Sequence, residues 1–231
     1  MLAAVLYVPR LFSSYRTWIF MKENDMNKKL DKKRNTDFYL LYTAAFLAVA
    51  LALYLRFFTN GKSLVWSHDG VPQHLNSLAY YGRYLRQVLY TLFIEHKLSL
   101  PLWDMHIGYG SDILTTLHYY VIGDPLTLLA VFVPESKTDT LYAFLIFLRI
   151  YLAGIAFSRY SFYHKNSKQA TFMGTMIYIF AGWTIYAAMK HPYFSNPMIY
   201  LPLILLGIDK IYKKEKPDLF ICATAVAAMS N

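Results

Sequence analysis

The residues best suited to chemistry stand in one run, Trp66-Ser67-His68-Asp69-Gly70-Val71-Pro72-Gln73-His74. Asp69 offers a carboxylate that can accept a proton where a lipid headgroup would arrive, and His68, Gln73 and His74 concentrate further polar groups beside it. Asp-Gly also favours a tight turn, which would hold that carboxylate at the edge of whatever element follows. The competing reading is local: aspartate before glycine commonly starts a helix or closes a turn on its own backbone. Five of the seven histidines, His68, His74, His96, His106 and His118, fall between residues 59 and 138, with Asp104 and Asp112 near them. Their spacings match no metal-binding motif, so no metal site is expected, and no motif names a cofactor. Arg149 is the other chemical singularity. It interrupts an apolar run with nine uncharged residues on either side, where an arginine costs roughly 2.5 to 3.5 kcal/mol to insert into a bilayer and so needs a partner. An anionic lipid phosphate would satisfy it, and so would an acidic side chain.

Those groups have to be positioned by membrane-spanning helices. Of the 231 residues, 56% are hydrophobic and only 16% charged, against about 25% charged in a typical soluble domain. Residues 38–58 form a first apolar run of spanning length. Before it, Lys22, Lys28, Lys29, Lys32, Lys33 and Arg34 make a basic cluster, which the positive-inside rule places in the cytoplasm with residues 1–37. Residues 1–25 make a poor signal peptide and read as an upstream extension. Residues 59–138 then form a large external loop. Within it, Leu75, Leu78, Gly82, Leu85, Leu89 and Leu92 recur at three- and four-residue steps, the pattern of an amphipathic helix that lies in the interface or packs on neighbouring spans. The apolar Leu126–Val133 is too short to cross and reads as re-entrant or interfacial. Residues 139–217 supply three further spans, at 139–160, 170–189 and 191–208, and residues 218–231 begin a fifth. Basic residues alternate accordingly: Arg159, Lys165 and Lys168 inside, Lys190 outside, Lys210 to Lys216 inside. The predicted fold is therefore all-α, a polytopic transmembrane helical bundle with its N-terminus in the cytoplasm and a lipid bilayer as its main partner.

The basic excess, 23 lysines and arginines against 14 acids, is explained by this alternation and gives no reason to expect nucleic acid. A single cysteine, Cys222, permits no disulfide within the chain.

Taken in order, Asp69-Gly70-Val71-Pro72-Gln73-His74, Trp103, Gly108-Tyr109-Gly110-Ser111-Asp112, Tyr119-Tyr120, Asp124-Pro125 and Pro134 resemble the N-terminal part of the bacterial YfhO family. Tyr178-Ile179-Phe180-Ala181-Gly182-Trp183, Leu201-Pro202-Leu203 and Gly207-Ile208-Asp209 extend the likeness, which covers residues 36–216. The resemblance implies a GT-C type membrane glycosyltransferase. Such an enzyme moves a sugar from a polyprenyl-phosphate donor to a cell-envelope polymer acceptor, such as lipoteichoic acid, outside the cytoplasm. In that fold a carboxylate in the first external loop serves the acceptor, and the matching position is Asp69. His68, Gln73, His74 and Arg149 are then expected to bind substrate, with Arg83 and Arg86 as further cations for the phosphate. Family members are longer, so this chain is expected to be an N-terminal fragment. A lipid-linked substrate transporter or flippase, or a non-catalytic scaffold, would use an intramembrane arginine and proline-interrupted spans equally well.

Overall fold

The computed structural model describes residues 36–230; the basic cluster at 22–34 and the segment 1–25 lie outside the described residues. The chain divides into two units, Met1–Ala48 and Val49–Asn231. The described part of the first is the N-terminal half of helix α1, which runs Thr36–Thr59. The second unit holds everything that follows, and it is mainly helical with almost no strand. Among the described residues, two helices are long and apolar enough to cross a membrane, α1 and the one ending at Tyr163, or three if a bent pair described below counts as one span.

Residues 59–138 hold helical pieces separated by turns and a short strand pair. Asp69 leads into a π-helical turn, Gly70–Leu75, in which the Asp69 carbonyl accepts from the amides of both Gln73 and His74 at 3.1 Å. Pro72, with no amide hydrogen, removes one of the competing donors from this turn. The chain continues without interruption into α2 (Asn76–Phe93), whose buried stripe is Leu78, Tyr81 and Gly82. Leu89 and Leu92, on the expected apolar face, are exposed. A two-residue antiparallel pair follows, Trp103–Asp104 (β1) against Ser111–Asp112 (β2), and its loop turns through Gly108 and Gly110 at positive φ. Asp112 then caps α3 (Ile113–His118), accepting from the Thr115 amide at 2.7 Å.

Leu126–Val133 contains a 3-10 helix, Thr127–Phe132, that packs along α2. Gly82 allows this approach: a Cβ there would sit 2.8 Å from the Ala130 carbonyl oxygen. Arg86 closes the contact by donating to the carbonyls of Ala130 and Val133 at 2.9 and 2.7 Å. The segment is thus held against a polar anchor on its own chain.

A short 3-10 turn, Glu135–Lys137, leads into α4 (Thr138–Tyr163), whose 26 residues span about 39 Å at 1.5 Å per residue. The next apolar run is not one rod. It forms α5 (Lys168–Ile179) and α6 (Gly182–Lys190), bent by 44°, because Ala181 is extended with ψ 148 and starts a new helix. The run after it is shorter than its apolar length suggests: Pro192–Ser195 is a 3-10 turn, and α7 starts only at Asn196 and ends at Tyr212. Pro202 lies inside α7 and leaves the Met198 carbonyl without its usual i+4 donor. The Tyr178 hydroxyl supplies the missing bond at 3.0 Å, which fastens the end of α5 to α7. Helix α8 (Asp218–Met229) crosses back over α7.

At their C-terminal ends α4 and α7 meet: Tyr163 donates to Glu215 at 2.9 Å and His164 faces Asp209 at 2.8 Å. This gathers Arg159, Lys165, Lys168 and the lysines at 210–216 toward one end of the bundle. Gly123 fixes the other connection. Its φ is +96, and a Cβ on it would lie 1.8 Å from the Met229 carbonyl oxygen at the end of α8. Gly123→Ala is expected to combine backbone strain with this overlap, displacing α8 and Asp124 together. The checking measurement is the monodisperse fraction after detergent extraction, expected to fall severalfold against the unsubstituted protein.

Candidate functional site

Asp69 begins a helical segment, but its side chain does not serve it. Its backbone is already in the right-handed helical region (φ −68, ψ −23), and its carboxylate makes no capping bond. The Asp-Gly pair therefore forms no separate tight turn. Oδ1 instead accepts from Gln73 Nε2 at 3.0 Å, and Gln73 Oε1 in turn accepts from the Tyr120 hydroxyl at 2.9 Å. Asp69 and Gln73 are four residues apart, so one helical turn aligns them. The arrangement fixes the rotamer of the acid while leaving its side chain 40% exposed.

The second carboxylate oxygen faces a residue from far along the chain. His191 follows α6, and its Nε2 stands 3.8 Å from Asp69 Oδ2. Its Nδ1 lies 3.0 Å from His74 Nε2. His74 is 1% exposed, and its own Nδ1 has no protein partner. A buried N–H without an acceptor is costlier than a bare lone pair, so the network assigns the His74 proton to Nε2, where it donates to His191 Nδ1. His191 then carries its proton on Nε2, directed at Asp69. The result is a hydrogen bond between His74 and His191, whose other ring nitrogen stands 3.8 Å from the Asp69 carboxylate, beyond hydrogen-bond length.

Burial pushes His74 down from the usual histidine value to about 4, with the neighbouring His191 acting in the same direction and Asp69 opposing. A histidine whose folded pKa is depressed favours the neutral form in the native state. Its stabilising contribution is complete above about pH 6.5 and is lost as pH falls toward 4. The melting temperature is therefore expected to decline over that window, and His74→Phe is expected to flatten the decline. Equal acid sensitivity in the variant would remove His74 as the cause.

Aromatic side chains wall this group. Trp66 stacks on His68 with ring centroids 4.9 Å apart and meets His191 edge-on at 5.9 Å. Lys190 Nζ lies over Trp66 at 4.3 Å and over Tyr186 at 4.1 Å, and donates to the Tyr186 hydroxyl. Its charge is thus held by ring faces.

Arg149 occupies a different layer. It is 1% exposed, and its Nη2 donates to Asp124 Oδ2 at 2.6 Å while its Nε donates to Asn196 Oδ1 at 2.9 Å. Asn196 Nδ2 closes the triangle on Asp124 Oδ2 at 3.0 Å. The acidic partner that a mid-span arginine requires is therefore on this chain, in the Asp124-Pro125 turn. Tyr193 joins the two layers: the guanidinium lies 5.1 Å from its ring, and the His74 ring stands 5.5 Å away, edge-on. Arg83 pairs with Glu135 and Arg86 with the backbone carbonyls described above.

Of the five site residues expected from the sequence, the structure brings His68, Asp69, Gln73 and His74 together and sets Arg149 behind them, across Tyr193. Sequence reasoning missed His191, Tyr193, Asp124, Asn196 and the Trp66–Lys190 contact. One signal pointed to His191: charge alternation puts the end of the 170–189 run on the same membrane face as the 59–138 loop. Nothing in the sequence paired Asp124 with Arg149 across 25 residues.

The family profile described as bacterial membrane protein YfhO matches residues 41–231. The YfhO protein of Bacillus subtilis (strain 168) is 25% identical over 210 residues, covering 83% of this chain. The chain spans 23% of that relative's length. No solved structure matches. With apolar helices of spanning length, a buried ion pair on one of them and a profile match over most of its length, the chain belongs to the YfhO family of bacterial membrane proteins.

Proposed function

We propose that the full-length protein is a GT-C-like glycosyltransferase. It takes a sugar from a polyprenyl-phosphate donor and delivers it to a cell-envelope polymer acceptor on the outer face of a multi-pass bundle whose N-terminus is cytoplasmic. The observation that carries this reading is the state of Asp69: a half-exposed carboxylate, oriented by Gln73 and faced by His191, that is not consumed as a helix cap. The gathering of basic residues at the Tyr163–Glu215 end supports the orientation, since that end would be the cytoplasmic one.

In the reaction, an acceptor hydroxyl gives its proton to Asp69 as its oxygen bonds to the anomeric carbon. The bond from that carbon to the phosphate oxygen breaks, its electron pair leaves with the lipid phosphate, and the anomeric configuration inverts. Charge grows on the departing phosphate, and a fixed cation there lowers the barrier. Arg149, Arg83 and Arg86 are engaged within the chain, so this role falls to Lys190, one residue from His191 and held by Trp66 and Tyr186. Arg149 instead holds the layer beneath the site.

His191 is a positioning residue in this scheme. His191→Ala is expected to lower kcat about tenfold, and His191→Asn to recover part of the loss. The acidic limb of the pH profile is expected to keep its shape, because Asp69 must still be ionised to take the proton. A change of KM alone would count against this role. The experiment that tests the function is transfer of labelled sugar from a polyprenyl-phosphate donor in membranes containing the full-length protein.

A lipid-linked transporter is the second reading, favoured by the 44° break between α5 and α6 beside a buried Arg–Asp pair. It predicts that the labelled lipid changes leaflet with its sugar still attached.

A further inference from the structure

The hairpin that follows α2 builds a cavity of about 450 Å³ that the Asp69 site does not use. Tyr80, Tyr84 and Gln87 form one wall from α2, and Trp103, Asp104 and His106 form the facing wall. The α2 residues lie at steps of four and three, so they share one helix face. Trp103 is 60% exposed, with its ring available at the cavity edge. Asp104 is held rigidly: Oδ2 accepts from the Tyr80 hydroxyl at 2.6 Å, and Oδ1 accepts from the His106 amide and ring, each at 2.8 Å. These bonds keep its carboxyl pushed down to about 2, the Tyr80 hydroxyl contributing most. Arg83 also borders the cavity, with its charge already paired to Glu135.

We propose that this cavity is a binding subsite for a neutral saccharide unit. Flat aromatic faces suit the C–H surfaces of a pyranose, and the fixed carboxylate of Asp104 and the amide of Gln87 suit its hydroxyls. With Asp104 on the lining and Arg83 taken up by Glu135, an anionic ligand finds no free guanidinium here. The volume fits one or two sugar rings, within the usual range for small-ligand pockets. The direction of α2 adds a geometric link. Gln73, which holds Asp69, precedes Tyr80 by seven residues, about 10 Å of helix axis at 1.5 Å per residue. A glycan seated here could thus extend toward the carboxylate.

This last link rests on the sugar-transfer reading, whereas saccharide binding does not, and the experiment separates them. Full-length protein in lipid nanodiscs would be titrated with cellobiose, chitobiose and glycerol 3-phosphate, and contact read by saturation-transfer NMR. A disaccharide signal is expected that falls at least fivefold in Trp103→Ala and in Gln87→Ala, is retained in Trp103→Phe, and is unchanged in Asp69→Asn. Absence of both disaccharide signals, persistence of a signal in Trp103→Ala and Gln87→Ala, or binding of glycerol 3-phosphate alone would each overturn the subsite. Disaccharide binding with this sensitivity, but no sugar transfer by the unsubstituted protein, would leave the subsite standing and remove the glycosyltransferase reading.

Discussion

Asp69→Asn is expected to abolish sugar transfer by the full-length protein while leaving expression and membrane insertion intact. The amide is nearly isosteric with the carboxylate and can still bond to Gln73, so the π-helical turn and the Gln73–Tyr120 contact survive. What is lost is the capacity to take a proton. General-base contributions of this kind are worth about 10² to 10⁴ in rate, and the expected drop in kcat is at the upper end of that range. The decisive comparison is kcat against KM: a proton-transfer role lowers kcat with little change in KM for either substrate. Glycosylation of the envelope at the normal level in cells carrying only Asp69→Asn would end the assignment. Asp69→Glu provides a further check, since the longer side chain restores a carboxylate and displaces it by about one methylene, and partial recovery is expected.

The largest expected effect on stability comes from the buried ion pair. Removing one partner of such a pair leaves an uncompensated charge and costs about 3 to 5 kcal/mol. Arg149→Leu would strand the Asp124 carboxylate, which is 3% exposed, and Asp124→Leu would strand the guanidinium. Either substitution is therefore expected to remove most of the folded protein, measured as the fraction extracted in monodisperse form. The double variant Arg149→Leu with Asp124→Leu removes both charges, and its folded fraction is expected to recover substantially. That recovery also discriminates between roles. If Arg149 chiefly served an incoming phosphate, Arg149→Leu alone would keep its folded fraction and lose turnover. If it holds Asn196 and Asp124 in place, the single variant loses the protein and the double regains it.

Parts of this architecture are legible in the residues because they depend on local composition. The first apolar run, expected at 38–58, is a helix at Thr36–Thr59, and the run expected at 139–160 is α4 at Thr138–Tyr163. The leucine spacing at 75–92 yields α2. Its buried stripe, however, includes Tyr81 and excludes Leu89 and Leu92, because partner segments decide which part of an amphipathic face is covered. The breaks were less visible. Residues 170–189 carry no charge, yet the helix bends at Ala181, and the run after it opens as a 3-10 turn before Asn196. Hydropathy records transfer cost per residue and is blind to direction.

The same division holds at the site. The sequence by itself singled out an acid in the Trp66–His74 run as the candidate proton acceptor, and determined that Arg149 required a compensating group and that this is an all-α chain with membrane-length apolar helices. Each conclusion follows from the chemistry of a side chain or from a free energy of burial that adds up along neighbouring residues. The tertiary structure alone decided that the compensating group is Asp124 with Asn196, that His191 rather than a loop histidine faces Asp69, and that Tyr193 separates the two layers. These pairings span from 25 to 122 positions. They are set by how helices dock, through Gly82 against Ala130, Gly123 against Met229 and Tyr178 against the gap at Pro202. Docking of that kind is a property of surfaces in three dimensions, which residue order constrains only through all the contacts at once.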